Sequence, residues 1–477
     1  MRTPTNRERV VITGMGIVCP LGNDVATFWE GVLAGRSGAN RTTIFDASTF
    51  PTTFDAEVKD YDFRSYVREP QRHEKCSRGP AFALGAAVQA CRQAGIDVET
   101  ERQTVAVATF VSSDGCVERD VGRRTSDVTS RATATEGRSV PTDGVDRTRL
   151  GIYLGAGEGS LADAFFACIV AGWDTQRQEM IWERNTQVGF AQMDPMHELE
   201  HEPNMAAAHL ALLTGARGPV RSCLTACAAS TQAIGEALML IRRGDADVML
   251  AGGAHSMIHP LGVTGFNRLT ALSTRNDSPE TASRPFCASR DGFVLGEGAA
   301  ILVLESLTSA RRRGAAILAE LVGYGSSSDA FRVTDMHEEA RGPIQAMRLA
   351  LADAGLTYRD VDYINTHGTS TLENDSIETL AIKGVFQERA KQIPVSSVKS
   401  MLGHLIGAAG AAELIACVLA LRDNIVPPTI NLHDPDPKLD LDYVPNVPRR
   451  MPVNVVMKES FGFGGQNNVV IVKKFAP

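Results

Sequence analysis

The chain has 477 residues, a formal net charge of −8 and 43% hydrophobic residues, with a pI of about 5.8. That balance allows a large globular core and excludes nucleic acid as a bulk partner. Nine cysteines, scattered and without a CxxC pair, exclude a disulfide framework and a zinc site and point to a reducing, cytoplasmic setting.

Arg2, Arg7 and Arg9 precede an apolar run from Val10 to Leu21, superficially a secretory leader. Gly14, Gly16 and Pro20 interrupt that run and no clean cleavage site follows, so Val10–Val18 reads as a buried first strand. No stretch of about 18 apolar residues exists, so no membrane span is expected. A helix from Asn23 to Leu33 stops at Gly35. Beyond an irregular stretch, Arg64, Arg68, Arg72, Lys75 and Arg78 cluster. They read either as a docking patch for an acidic protein or as a solvated surface laced with ion pairs. A helix follows over Ala81–Ala94.

Residues 100–148 carry Ser, Thr, Asp and Arg with little periodicity, apart from a short strand expected at Val105–Val111. Leu150–Gly155 is a strand. Gly155-Ala156-Gly157-Glu158-Gly159 mimics a dinucleotide fingerprint, but Ser160 follows and no acidic residue stands at the required distance. Close packing against the sheet is the better reason for those glycines. After a helix at Met205–Leu213 comes Arg221-Ser222-Cys223-Leu224-Thr225-Ala226-Cys227-Ala228-Ala229-Ser230. Ile234, Ala237, Leu238 and Ile241 then repeat at helical spacing until Gly244. A cysteine in the first turn of that helix, near free N–H groups and the positive dipole end, is placed to favour thiolate. Taken alone, Cys227 reads first as a small buried hydrophobe and only second as a nucleophile.

Strands at Val248–Gly253 and Ala300–Leu304 follow, and Arg311-Arg312-Arg313-Gly314 ends a helix at a boundary. The alternation then restarts: strand Ile317–Tyr324, helix Ile344–Ala354, strand Val361–Asn365, helix Ile377–Phe386, strand Ile393–Ser397, helix Ile406–Leu421. Strands Asn454–Glu459 and Asn468–Lys474 close the chain. Two similar α/β halves, 1–314 and 315–477, are expected.

The Cys227 stretch, Asn365-Thr366-His367-Gly368-Thr369-Ser370-Thr371, Val398-Lys399-Ser400-Met401-Leu402-Gly403-His404 and Gly462-Phe463-Gly464-Gly465 stand in this order. Together they resemble the active-site motifs of β-ketoacyl-acyl-carrier-protein synthases of the type II kind, condensing enzymes of the thiolase superfamily. The resemblance runs from Val10 to the final strand. It implies a thiolase-like fold of five layers, αβαβα, with 100–148 as an insertion in the first half. It also implies decarboxylative condensation of an acyl thioester, held on Cys227, with malonyl-acyl carrier protein, for fatty-acid or polyketide elongation. Cys227, His367 and His404 would be catalytic, with the backbone N–H groups of Cys227 and Phe463 as the oxyanion hole. Lys399 and Glu413 would orient His404, and Asp375 and Glu378 would organise the same network. No metal or organic cofactor is implied, because loss of carbon dioxide drives the reaction. The implied partners are acyl carrier protein, docked through Arg64, Arg68, Arg72 and Arg242, and a second copy of the chain in a homodimer.

Three departures bear on the substrate. Gln466 follows the glycine loop where the family carries Thr, Glu158 falls where the deep acyl pocket is apolar, and 198–202 reads Glu-Leu-Glu-His-Glu. With Phe463 as gate, a pocket containing Glu158, its charge partnered by His201, would take a short, polar or oxygenated chain. Among other readings, a thiolase would need a second cysteine where Phe463 stands, a chain-length factor would lack Cys227, and a binding scaffold would need neither histidine. A ketosynthase subunit of a specialised type II polyketide system, paired with a chain-length-factor-like partner, stays open beside fatty-acid synthesis.

Overall fold

The computed structural model describes residues 7–98, 143–157 and 163–477. The strand expected at 105–111, most of the inserted segment and Glu158 lie outside these residues. Ten strands form one hydrogen-bonded series. The first five are β1 (Val10–Val18), β2 (Leu150–Ala156), β3 (Val220–Cys223), β4 (Val248–His255) and β5 (Gly298–Ser306). The second five are β6 (Ala319–Ser328), β7 (Tyr363–Asn365), β8 (Val395–Ser396), β9 (Val455–Gly462) and β10 (Gln466–Lys473).

The spatial order is β8-β7-β9-β10-β6-β1-β5-β4-β2-β3. Outward from β1, the neighbours are antiparallel β5 and β4, then parallel β2 and β3. Outward from β6, they are antiparallel β10 and β9, then parallel β7 and β8. The two five-stranded units therefore repeat one topology. They also share an edge, which two stacked sheets did not anticipate: Val10, Val11 and Ile12 pair with Leu321, Glu320 and Ala319. Register shifts at Ile12/Gly14 and Leu321/Gly323 then bend both strands and end the pairing.

Six helices complete the layers. On the outer face of the first unit lie α1 (Arg78–Ala94) and α2 (Met205–Thr214), and α3 (Ala229–Arg243) covers its inner face. On the second unit, α4 (Arg341–Ala354) and α5 (Leu372–Phe386) lie outside and α6 (Ala409–Asp423) lies inside. Each layer has its apolar reason. β1 is buried at all nine positions, as a strand covered on both faces must be. α6 is buried from Ala409 to Leu421, so it is apolar all round except for Glu413. Between the sheets, Ile234 and Leu238 of α3 join Leu414 and Ile415 of α6 in one core.

Glycines let the outer helices sit tightly on the edge strands, in the same way in both units. A Cβ on Gly14 or Gly16 would come within 2.1 or 1.9 Å of the carbonyl oxygens of Ala90 and Ala86 in α1. On Gly323 or Gly325 it would meet those of Ala350 and Ala346 in α4 at 2.4 and 2.1 Å. Gly155 likewise lets β2 lie against the start of α3, where a Cβ would come within 2.3 Å of the Ala229 carbonyl carbon, which is the packing role expected of it. α5 starts five residues earlier than its apolar periodicity predicts. Thr371 caps it through Asn374 N–H, and its first turns are polar because they serve the site. Among the described residues, no helix is long and apolar enough to cross a membrane.

Candidate active site

Cys227 lies one turn before α3 rather than within it. After β3 the chain turns through Ala226, held at φ 47°, into a 3-10 turn over Ala226–Ala228 that runs on into α3. A left-handed alanine costs about 1–2 kcal/mol, a strain that aims the Cys227 side chain across the inter-sheet core edge. The thiol is buried, and burial pushes it up to about 11, ahead of the opposing pull of Lys399 and the Phe463 N–H. The thiolate-favouring start of the helix is thus outweighed by desolvation. Burial outweighs Lys399 and the Phe463 N–H, which both favour the thiolate, and the resting group is the thiol.

His367 follows β7 and its backbone is pinned from both sides. Its N–H donates to Glu378 Oε1 at 2.5 Å, the Gly368 N–H donates to Oε2 at 2.7 Å, and the Lys399 ammonium donates to its carbonyl at 2.7 Å. Asp375, one turn before Glu378 on α5, accepts N–H groups from Phe286 and Ser370 at 2.9 and 3.2 Å and lies 3.6 Å from Arg290. Those contacts fix the loop between His367 and α5.

His404 precedes a second 3-10 turn, Ile406–Ala408, which leads into α6. Its Nδ1 accepts the Ile406 N–H at 3.3 Å, which puts the proton of the neutral ring on Nε2. That Nε2 is buried and has no hydrogen-bond partner among the described residues. The two imidazoles meet edge to face, with ring centroids 5.4 Å apart. Burial, then the positive charge of Lys399, holds both well below the ordinary 6.5, so both are neutral near pH 7. The Cys227 sulfur and one nitrogen of each imidazole lie within 4.8 Å of one another. They line a cavity of about 360 Å³ with Phe463 at its wall.

Lys399 forms the expected buried pair with Glu413. A third member was not read from the sequence: Lys458 of β9 binds the other Glu413 oxygen at 2.7 Å. Its neighbour Glu459 faces Glu378. Burial raises both carboxyls, Glu378 raises Glu459 further, and the charge of Asp375 rather than that of Glu459 adds to the rise of Glu378. The available signal was two adjacent charges inside a strand otherwise spelled Val-Val-Met…Ser-Phe.

Other expected residues lie elsewhere. Gln466 opens β10 opposite Gly462 and does not line the cavity. The 198–202 stretch is also absent from it. Glu200 and Glu202 line a separate cavity of about 20 Å³ beside His255. The buried carboxylate there is Glu200, and its partner is His209 at 3.0 Å, whereas His201 only approaches Glu198 at 4.0 Å. The reason is geometric: α2 carries His209 directly over that loop. Arg242 leaves the surface patch, because its guanidinium binds Asp353 and the Val322 carbonyl, both at 2.7 Å. Arg64 and Arg68 are exposed and Arg72 is half-buried, with Arg64 held by Asp62 and Arg72 by Glu69.

Known proteins resemble this chain over nearly its whole length. Residues 7–140 and 127–310 match the family described as β-ketoacyl synthase, N-terminal domain, and 318–433 match the corresponding C-terminal domain. The 3-oxoacyl-acyl-carrier-protein synthase 2 of Coxiella burnetii is 39% identical over 468 residues, 98% of this chain and 99% of that protein. That of Staphylococcus aureus is 37% identical over 471 residues, 99% of each. Among solved structures, a β-ketoacyl synthase from Burkholderia phymatum superposes with TM-score 0.79 at 31% identity, covering 98% of this chain and all of that one. A type II polyketide ketosynthase in complex with its acyl-carrier protein gives TM-score 0.78 at 31% identity, covering 99% of this chain and all of that one.

Proposed function

This chain belongs to the β-ketoacyl synthase family, and from that premise we propose that it condenses an acyl thioester with malonyl-acyl carrier protein, releasing carbon dioxide and a 3-oxoacyl-acyl carrier protein. The observation that carries the reading is the meeting of Cys227, His367 and His404 within 4.8 Å at one cavity.

In the first step the Cys227 sulfur attacks the acyl thioester, the carrier's thiolate leaves, and the thiol proton ends on that carrier. The N–H groups of Cys227 and Phe463 receive the charge developing on the carbonyl oxygen. In the second step the bond between the malonyl methylene and its carboxyl breaks, carbon dioxide leaves, and the electron pair forms an enolate. The Nε2–H of His404, with His367 beside it, donates to the enolate oxygen. The enolate carbon then attacks the acyl carbonyl, and Cys227 leaves and regains a proton from solvent. Neutral imidazoles suit this chemistry. An imidazolium would pair with the malonyl carboxylate and hold back the group that must depart uncharged.

Within this reading, 1–314 supplies the nucleophile and 315–477 the imidazoles. Lys399, Glu413, Asp375 and Glu378 support them, and Phe463 gates the cavity. The enzyme works in the cytoplasm, as a homodimer docking acyl carrier protein through Arg64, Arg68 and Arg72. The eight described cysteines are all free thiols, in keeping with that compartment. The likeness to a type II polyketide ketosynthase supports a second reading, a polyketide subunit with a chain-length-factor-like partner. Another neighbour is described as a ketosynthase in complex with its chain length factor, but at 24% identity it speaks for the fold alone.

The test is intact-mass analysis after incubation with a chain-length series of acyl carrier proteins. One acyl group should appear on Cys227, and the preferred chain separates the two readings. His404→Ala should still acylate while carbon dioxide release from malonyl carrier protein falls about 100- to 1,000-fold. An unacylated Cys227 with every donor would end the proposal.

A further inference from the structure

Lys458 is fully buried in the middle of β9, where a strand covered on both faces is expected to be apolar. Its ammonium binds Glu413 Oε2 at 2.7 Å and the Ser460 hydroxyl at 2.8 Å, and it contacts the Glu459 carbonyl. The other Glu413 oxygen binds Lys399, whose ammonium also donates to the His367 carbonyl at 2.7 Å. Alternation along the strand turns the next side chain to the opposite face, where Glu459 adjoins Glu378, the acceptor of the His367 and Gly368 N–H groups. β9 runs beside β7 with Lys458 opposite Asn365, two residues before His367. It then continues into the loop that carries Phe463. One dipeptide therefore touches the groups that hold the His367 backbone from both sides.

We infer that Lys458 is a positioning residue for the decarboxylation step. Through Glu413 it fixes Lys399 and the His367 carbonyl, and its own charge keeps the imidazole pair in the neutral, donating form. The charge arithmetic supports this. Two ammonium groups against one carboxylate leave a net positive charge beside the rings, and Lys458 acts on both His367 and His404. The other titratable groups facing the rings do not replace it. Cys227 is a neutral thiol and His255 a neutral buried imidazole. Glu378 is occupied by backbone N–H groups, and Glu413 is already bound by Lys399.

The inference rests on the condensing reaction proposed above, and its test separates the two. Carbon dioxide release from malonyl carrier protein is measured against pH for the native enzyme, Lys458→Met and Lys458→Arg, and for Lys458→Ala with and without ammonium. Loss of the charge should lower kcat about 10- to 100-fold with little change in KM, as for a misplaced catalytic group. It should also move the acid limb up by about one pH unit, because the imidazoles protonate more readily without a neighbouring cation. Lys458→Arg keeps the charge and should keep the native limb, and ammonium should restore part of the rate to Lys458→Ala. A Lys458→Met profile superimposable on the native one would overturn the inference, leaving Lys458 as a packing residue. Should that variant fail to fold, a shifted limb in Lys458→Arg would overturn it equally. A native enzyme that releases no carbon dioxide would instead refute the condensing reaction.

Discussion

The helices α3 and α6 occupy equivalent places in the two units and pack against each other between the sheets. Each is entered through a left-handed residue, Ala226 at φ 47° and Ile406 at φ 45°, then a 3-10 turn, then 15 residues of helix. The backbone device is the same, yet the residue at the centre of the turn is Cys227 in one and Gly407 in the other. Six positions further on, α3 is apolar at Ala233 and α6 carries Glu413, which joins Lys399 and Lys458. On the proposed function, one copy delivers the nucleophile, and the other anchors the charges beside the imidazoles. The backbone supplies the aim, and single side chains decide what is aimed.

The strongest way to break that comparison is to make the turns alike. Cys227→Gly gives the α3 turn the residue of its counterpart, and condensation should fall by roughly 10⁴- to 10⁶-fold, as for loss of a nucleophile. Intact-mass analysis should find no acyl-enzyme. Next in size is Glu413→Ala, which makes α6 resemble α3 at this position and strands two buried ammonium groups. Thermal or denaturant unfolding should show a loss of about 3–5 kcal/mol, and an unchanged midpoint would mean that the triad carries no structural charge.

A pH profile sharpens the contrast more gently. Both imidazoles sit below 6.5 because of burial and Lys399. They stay neutral as pH falls through 6.5, and activity is lost only when pH passes their depressed values. Carbon dioxide release should therefore show its acid limb below 6.5, and a limb at or above it would place a charged imidazole in the working enzyme. The smallest effect belongs to Gly407→Ala. A Cβ there meets the Ala156 backbone at 3.4 Å and His255 Nδ1 at 3.5 Å, which is ordinary contact. Stability should hold or rise by about 0.4–1 kcal/mol through the unfolded chain, read as an unchanged or raised Tm.

Much of this was legible because it was local. The buried run of β1, the apolar spacing of α3 with its Gly244 stop, and the four motifs around Cys227, His367, His404 and Phe463 all lie in short stretches. The polar start of α5 was missed because Glu373, Asn374 and Asp375 obscure an apolar period, with Asp375 holding the Ser370 N–H and Glu373 the Met336 N–H. Lys458 and Glu459 were missed for another reason. A buried charge makes sense only with its partners, and Glu413 and Glu378 are distant in the chain. Arg242 shows the converse: grouped with the surface arginines, it finds its partners across the fold in Asp353 and the Val322 carbonyl. The 314/315 division and the docking arginines stand as parts of the proposed function.

The edge shared by β1 and β6 has a consequence for how the chain is made. β1 leaves the ribosome first, but its partners are β5 and β6, with Val10 set against Ser306 on one side and Leu321 on the other. At about 5–20 residues per second, the first strand waits roughly 15–60 s before either neighbour exists. Neither unit can close its sheet in that interval, because β1 is the end strand of the first and the seam to the second. Loops this long slow the search for native pairing, so the nascent chain exposes an apolar strand with free edges until β5 emerges. The seam ties the two units together: β1 can complete the first sheet only once β5 exists, and its other edge then offers β6 a place to pair.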